Sequence, residues 1–188
     1  MDHTLATSGR TNPFVQAVLR IEESRVLDGP SAALAPLADA LLADPRRRAA
    51  LQGQWLGHAV HPLLTFLPVG TWTSALLLDL SSPVQGRAAA QRLVGAGVLA
   101  ALPAAVTGLA EWGDASRRDR RTGVVHAGAN TVALVCFGRS WLARRRGQHV
   151  RGVRLGLVGA AAAGVGGFLG GHLTEARKLS SRHPRFED

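Results

Sequence analysis

Four long apolar runs divide the chain. They cover about residues 62–80, 92–112, 123–142 and 155–173, and short charged connections separate them. A run of ~19 residues rising 1.5 Å per residue reaches nearly across a ~30 Å hydrocarbon layer. Helices of a soluble bundle keep one charged face. These runs are apolar on nearly all faces, so the pattern predicts an all-α fold: an integral membrane four-helix bundle. Before it, residues 1–11 read as a loose tail. Asn12-Pro13 opens a short amphipathic helix that ends near Asp28-Gly29-Pro30. A stretch over 32–42 carries Pro36 and stops at Asp44-Pro45, and a third helix is expected over 46–54. None of these three pieces is long enough alone to span a bilayer. They are expected to lie on its surface or to cap the bundle. The domain division is therefore 1–54 as extension, 55–175 as transmembrane domain and 176–188 as polar tail.

Polar punctuation inside the runs adds detail. Pro62 suits a helix start, and Pro68 and Pro103 predict kinks, with Thr65 and Thr71 placed to satisfy freed carbonyls. Gly166 with Gly170 and Gly167 with Gly171 form small-xxx-small pairs, which let helix backbones approach closely in lipid. Trp55, Trp112 and Trp141 fall near run ends, as an interfacial belt would place them, whereas Trp72 is expected inside.

An even number of crossings brings scattered residues to one level. The first run starts at the proximal end, the second finishes there, the third starts there and the fourth finishes there. His58 and His61 open the first run, Glu111 closes the second, His126 opens the third and His172 closes the fourth. Thr107 shares a face with Glu111, and Asn130 shares one with His126. Polar groups at membrane depth usually face the bundle interior or a wet cavity. Imidazole is the commonest metal ligand, and imidazoles on facing helices hold b-type haem. His58, His61, His126 and His172 are therefore the candidate cofactor or metal ligands. His126 with His172 would supply two axial ligands, or His61 with either of them. Gly170 and Gly171 would give a porphyrin clearance. A divalent metal, a quinone headgroup and a proton relay are the other occupants of such a layer. A structural or partner-binding protein without a cofactor, and a metal- or proton-coupled carrier, are the alternative functions. No CxxCH motif is present, so any haem is non-covalent.

Charge and composition narrow the classes. Formal charge is +9, with arginines beside and between apolar runs. That placement fits anionic lipid headgroups rather than nucleic acid. Cys136 stands alone, which excludes an internal disulfide, a four-cysteine zinc site and a protein-held iron–sulfur cluster. Asp79, Arg92 and Arg139 fall at the distal end, where Asp79 is expected to pair with either arginine. No Ser–His–Asp set, Walker loop or dinucleotide fingerprint is visible, and no catalytic residue is assigned. Met1-Asp2-His3-Thr4 lacks the opening of a cleaved signal, so the first run is expected to act as its own insertion signal. Both termini are expected on one side of a bacterial inner membrane, the cytoplasmic one, and self-association is left open.

The segments His58-Ala59-Val60-His61-Pro62, Leu67-Pro68-Val69-Gly70-Thr71-Trp72-Thr73, Gly108-Leu109-Ala110-Glu111-Trp112 and Gly170-Gly171-His172-Leu173 resemble a bacterial membrane-protein family known as domain of unknown function 2231. The resemblance covers about residues 15–175. It implies four transmembrane helices. It also implies redox company, because some members carry a Rieske iron–sulfur domain after the fourth helix. Here Thr174 leads into Glu175-Ala176-Arg177-Lys178, and no Cys-x-His pair follows. An electron-transfer role then calls for a cluster on a separate protein.

Overall fold

The computed structural model describes residues 12–179, 183 and 185. Seven α-helices and no strands occur among them: α1 Pro13–Glu23, α2 Asp28–Leu42, α3 Pro45–Leu51, α4 His61–Ser81, α5 Arg87–Gly113, α6 Arg117–Arg145 and α7 His149–Gly171. A π-helical turn, His172–Ala176, follows α7. The long helices overrun the apolar runs at both ends, because the arginines that bound those runs are good helix formers. Ser116 caps α6, its hydroxyl accepting from the Asp119 amide at 3.3 Å. The chain stays helical through Pro68 and Pro103. Thr71 donates to the Leu67 and Pro68 carbonyls, and Thr107 to those of Pro103 and Ala104.

The four long helices pack in a ring, α4 on α5, α5 on α6, α6 on α7 and α7 back on α4. Neighbours run antiparallel. His61, at the start of α4, meets Ala104 late in α5, and Ser140, late in α6, meets Gly152 early in α7. Midway, Trp72 of α4 stacks on Phe137 of α6 with ring centroids 4.1 Å apart and planes 10° from parallel. Ala75, Ala90 and Val94 close around them, and the Trp72 indole donates to the Val94 carbonyl at 3.3 Å. This plug separates the proximal end from the distal end. Trp72 is thus inside, as the pattern required.

The outer surface is apolar. Phe66, Leu80, Leu99, Leu102, Val158 and Val165 are each more than half exposed, while buried positions are rich in alanine and glycine, such as Ala75, Ala110, Ala133, Gly156 and Gly159. Large residues outward and small ones inward suit lipid, where close packing rather than water exclusion joins helices. By length and composition α4, α5 and the helix His149–Ala176 are able to cross a membrane. The third apolar run lies in α6, which at 29 residues is the longest helix. It is more polar than the pattern implied, because His126, Asn130 and Arg139 interrupt it. The N-terminal segments Arg25–Leu42 and Pro45–Leu51 are jointly apolar enough to span, but they meet at 107°. Asp44-Pro45 sets that bend, the Asp44 carboxylate capping α3 by accepting from the Arg47 amide at 2.7 Å.

Two expectations change here. Helix α1 stops at Glu23 and α2 already starts at Asp28, so Gly29 and Pro30 lie in a first helical turn, where proline costs no hydrogen bond. Trp112 does not sit in an aromatic belt. It is buried and donates to the Arg120 carbonyl at 3.0 Å, because the short α5–α6 connection folds over it.

Candidate functional site: paired imidazoles at the proximal end

His61 begins α4, and its Nδ1 donates to the Ala104 carbonyl of α5 at 2.8 Å. A carbonyl oxygen only accepts, so Nδ1 carries the proton and, in the neutral ring, Nε2 keeps its lone pair. Thr107 donates to that same carbonyl at 3.0 Å and fixes it. Early in α6, His126 repeats the arrangement, its Nδ1 donating to the Gly166 carbonyl of α7 at 2.8 Å. Asn130, one turn on, offers its amide to His126 Nε2 at 3.0 Å. The two rings lie nearly at right angles, at 83°, with centroids 6.4 Å apart.

The same device is therefore built twice. Each helical hairpin, α4–α5 and α6–α7, carries an imidazole on its first helix. Its second helix supplies a carbonyl and, four residues further on, a glycine against the ring. A Cβ at Gly108 would stand 2.8 Å from His61 Cε1, and one at Gly170 would stand 3.0 Å from His126 Cε1. Glycine is required at both places because the imidazole occupies the volume a side chain would need. Both rings are half-buried. The site is thus two ligand-capable nitrogens from two hairpins, each ring held in one tautomer by backbone.

The other candidate residues are placed differently. His58 is exposed and donates from Nδ1 to the adjacent Ala59 carbonyl at 3.1 Å. His172 belongs to the π-helical turn and donates from Nε2 to Glu22 of α1 at 2.9 Å. The structure accordingly pairs His126 with His61 and commits His172 to the N-terminal extension. The four histidines share an end of the molecule but not a cluster. Among the described residues no group of three or more His, Cys, Asp or Glu side chains is arranged to hold a metal. Glu111 is buried one turn beyond Gly108. Gly170 gives its clearance to the His126 ring rather than to space beside His172, and Gly171 faces open space.

A family model described as "Predicted membrane protein (DUF2231)" matches residues 57–181. The chain belongs to that family. The matched segment holds both hairpins, and hence His61, His126, Gly108 and Gly170, whereas α1 to α3 lie outside it. No curated protein and no solved structure matches the chain significantly.

Outside the DUF2231 segment, residues 1–11 of the expected tail lie beyond the described residues, and α1 and α2 are docked on the bundle. Glu22 is 3% exposed. It receives His172 and lies 3.5 Å from Arg177 Nε, while the Arg121 guanidinium donates to its backbone carbonyl. Arg177 also binds Asp119 at 2.7 Å, which holds the guanidinium above its ordinary pKa. Asp28 accepts from Arg121 and Arg117, and the Arg121 bonds chiefly hold its carboxyl down at about 2. At the bundle's other end, the Asp79 expectation needs correction. Neither Arg92 nor Arg139 reaches it. Arg144 does, with bonds of 2.8 and 2.5 Å, and both side chains are 1% exposed. Ser140 accepts from Arg144 Nε at 3.2 Å and donates to the Gly152 carbonyl at 2.6 Å. Arg144 lies one turn beyond Ser140 on the inward face of α6, whereas Arg139 is exposed.

Proposed function

We propose that this protein is a membrane electron-transfer subunit that holds one b-type haem at the proximal end, with His61 and His126 as axial ligands. The observation that carries the reading is the matched pair of imidazoles on separate hairpins, each with Nδ1 engaged by a backbone carbonyl, so that only the Asn130 side chain stands on the second nitrogen of His126. Metal-ligating histidines characteristically donate their other ring nitrogen in this way, which fixes tautomer and orientation and raises ligand basicity. Two nitrogens about 2 Å either side of one metal, with each centroid roughly 1 Å further back, put ring centroids about 6 Å apart. The observed 6.4 Å is of that order. Ligation requires the Asn130 amide to leave His126 Nε2. A haem bound here would exchange single electrons with a separate redox partner, such as an iron–sulfur protein. The chain's own residues would set its ligand field and its exposure to the membrane surface.

A second reading rests on that same Asn130 contact. If His126 keeps its Nε2 bond to Asn130, both histidines serve as staples between the helices of each hairpin, and the protein is a structural or partner-binding membrane component. The deciding experiment is the absorption spectrum of protein expressed with ample haem supply and purified in mild detergent. Electron transfer through haem predicts a Soret band and sharp α and β bands on reduction, at one haem per chain. A colourless protein of normal stability overturns it and leaves the staple reading.

A further inference from the structure

The distal end carries a cavity unrelated to the imidazole pair. It occupies about 270 Å³ in the groove between α6 and α7, lined by Arg139, Leu142, Ala143, Arg146, Gln148, Arg151 and Leu155. Arg139 and Leu142 on α6 and Arg146 at its C-terminal cap recur at helical spacing, and Arg151 and Leu155 do so on α7. The groove is thus lined by three arginines and two leucines at the distal end of the bundle.

Its charge is uncompensated. Among the described residues the only carboxylate at this end is Asp79, and Arg144 occupies it. Arg139 and Arg146 have no carboxylate partner among the described residues, and Arg151 reaches only the Gln148 side-chain carbonyl, at 3.2 Å. The larger proximal cavity differs, since a carboxylate, Asp28, lies on its wall and accepts from Arg117. Convergent arginines without acids match a phosphate group, whose oxygens take paired N–H bonds from guanidinium. Leucines in the same groove match acyl chains.

We propose that this groove binds the phosphodiester of an anionic phospholipid, with Arg139, Arg146 and Arg151 on the phosphate and Leu142 and Leu155 against the first methylenes. Free phosphate shares the guanidinium chemistry but gains nothing from the leucines, so the lipid is the stronger ligand.

The test titrates detergent-solubilised full-length protein with short-chain phosphatidylglycerol, phosphatidylcholine or inorganic phosphate, read by native mass spectrometry. The variant R139Q/R146Q/R151Q is compared with R87Q/R92Q/R154Q, which removes equal charge from the same end but spares the cavity. None of the three cavity arginines makes an ion pair in the fold, so their loss leaves no carboxylate stranded, and circular dichroism checks the helix content. The proposal expects phosphatidylglycerol to bind the parent and to weaken at least about tenfold in the cavity variant, with less than a threefold change in the control. Equal weakening in both variants overturns it, because bulk charge would then suffice. Equal binding of phosphatidylcholine, or binding of inorganic phosphate without preference for the lipid, overturns the assignment to an anionic headgroup.

Discussion

The two ends of the bundle place polar groups in an apolar setting in opposite ways. At the distal end Asp79 and Arg144 are almost inaccessible, and two charge-assisted bonds consume each other's capacity. Ser140 accepts from the guanidinium Nε–H. At the proximal end each imidazole gives only one nitrogen to the backbone, the second nitrogen of His126 takes the Asn130 side-chain amide, and the two ring centroids lie 6.4 Å apart across the hairpins. A pair whose opposite charges are matched and buried serves the fold. The imidazole pair, with glycine cut away behind each ring, uses neutral bonds that a ligand could exchange, the Asn130 contact on His126 among them. Burial of polar groups therefore does not by itself mark a function in a membrane protein.

Breaking the distal pair gives the largest effect. Asp79→Ala strands a buried guanidinium and is expected to cost about 3–5 kcal/mol, read as a lowered thermal midpoint in detergent. The Trp72–Phe137 plug lies between the ends, so this loss is expected to add to, rather than couple with, changes at the histidines. Next come Gly108→Val and Gly170→Val, which drive a side chain into an imidazole. Each is expected to cost about 1–3 kcal/mol and to remove bound haem, while Gly171→Val, which meets nothing within 4 Å, retains it. A spectrum unchanged by the Gly108 and Gly170 variants would break the comparison.

Smaller effects belong to the extension. Glu22→Gln weakens the bonds from His172 and Arg177, and about 1–2 kcal/mol of docking is expected to be lost, seen as faster amide exchange in α1. The smallest effect is with pH. Asp28 has its carboxyl lowered from 3.8 to about 2, so its contribution is present above about pH 4 and is lost as pH falls through about 2. Proteolytic nicking between α1 and α2 is expected to rise over that window, and Asp28→Asn is expected to nick equally at both pH values.

The helical bundle was legible because lipid imposes a coarse rule: long runs with few charges admit few other folds, although His126, Asn130 and Arg139 make the third run more polar than the rest. The level of the histidines followed from counting crossings. Their partners did not, because rotational phase and lateral neighbours decide them. His61 and His126 find carbonyls 43 and 40 residues away, and no motif spans those intervals. His172 is set apart from the other two for a local reason. The π-helical turn that carries it places it on Glu22, 150 residues earlier in the chain. Arg144 was hidden within Arg144-Arg145-Arg146, where only the phase of α6 singles out the inward one. The N-terminal helices read as a lead-in because Glu22, Asp28 and their arginine partners are ordinary surface residues in any local window.

The central claim is that His61 and His126, one from each hairpin, form a single ligand pair. It is tested most directly by four purified variants, His58→Ala, His61→Ala, His126→Ala and His172→Ala, compared by reduced-minus-oxidised absorbance at equal protein. The account predicts that the α and β bands vanish in the His61 and His126 variants and persist in the other two. Persistence in either of the first pair, or loss confined to the His172 variant, would contradict it.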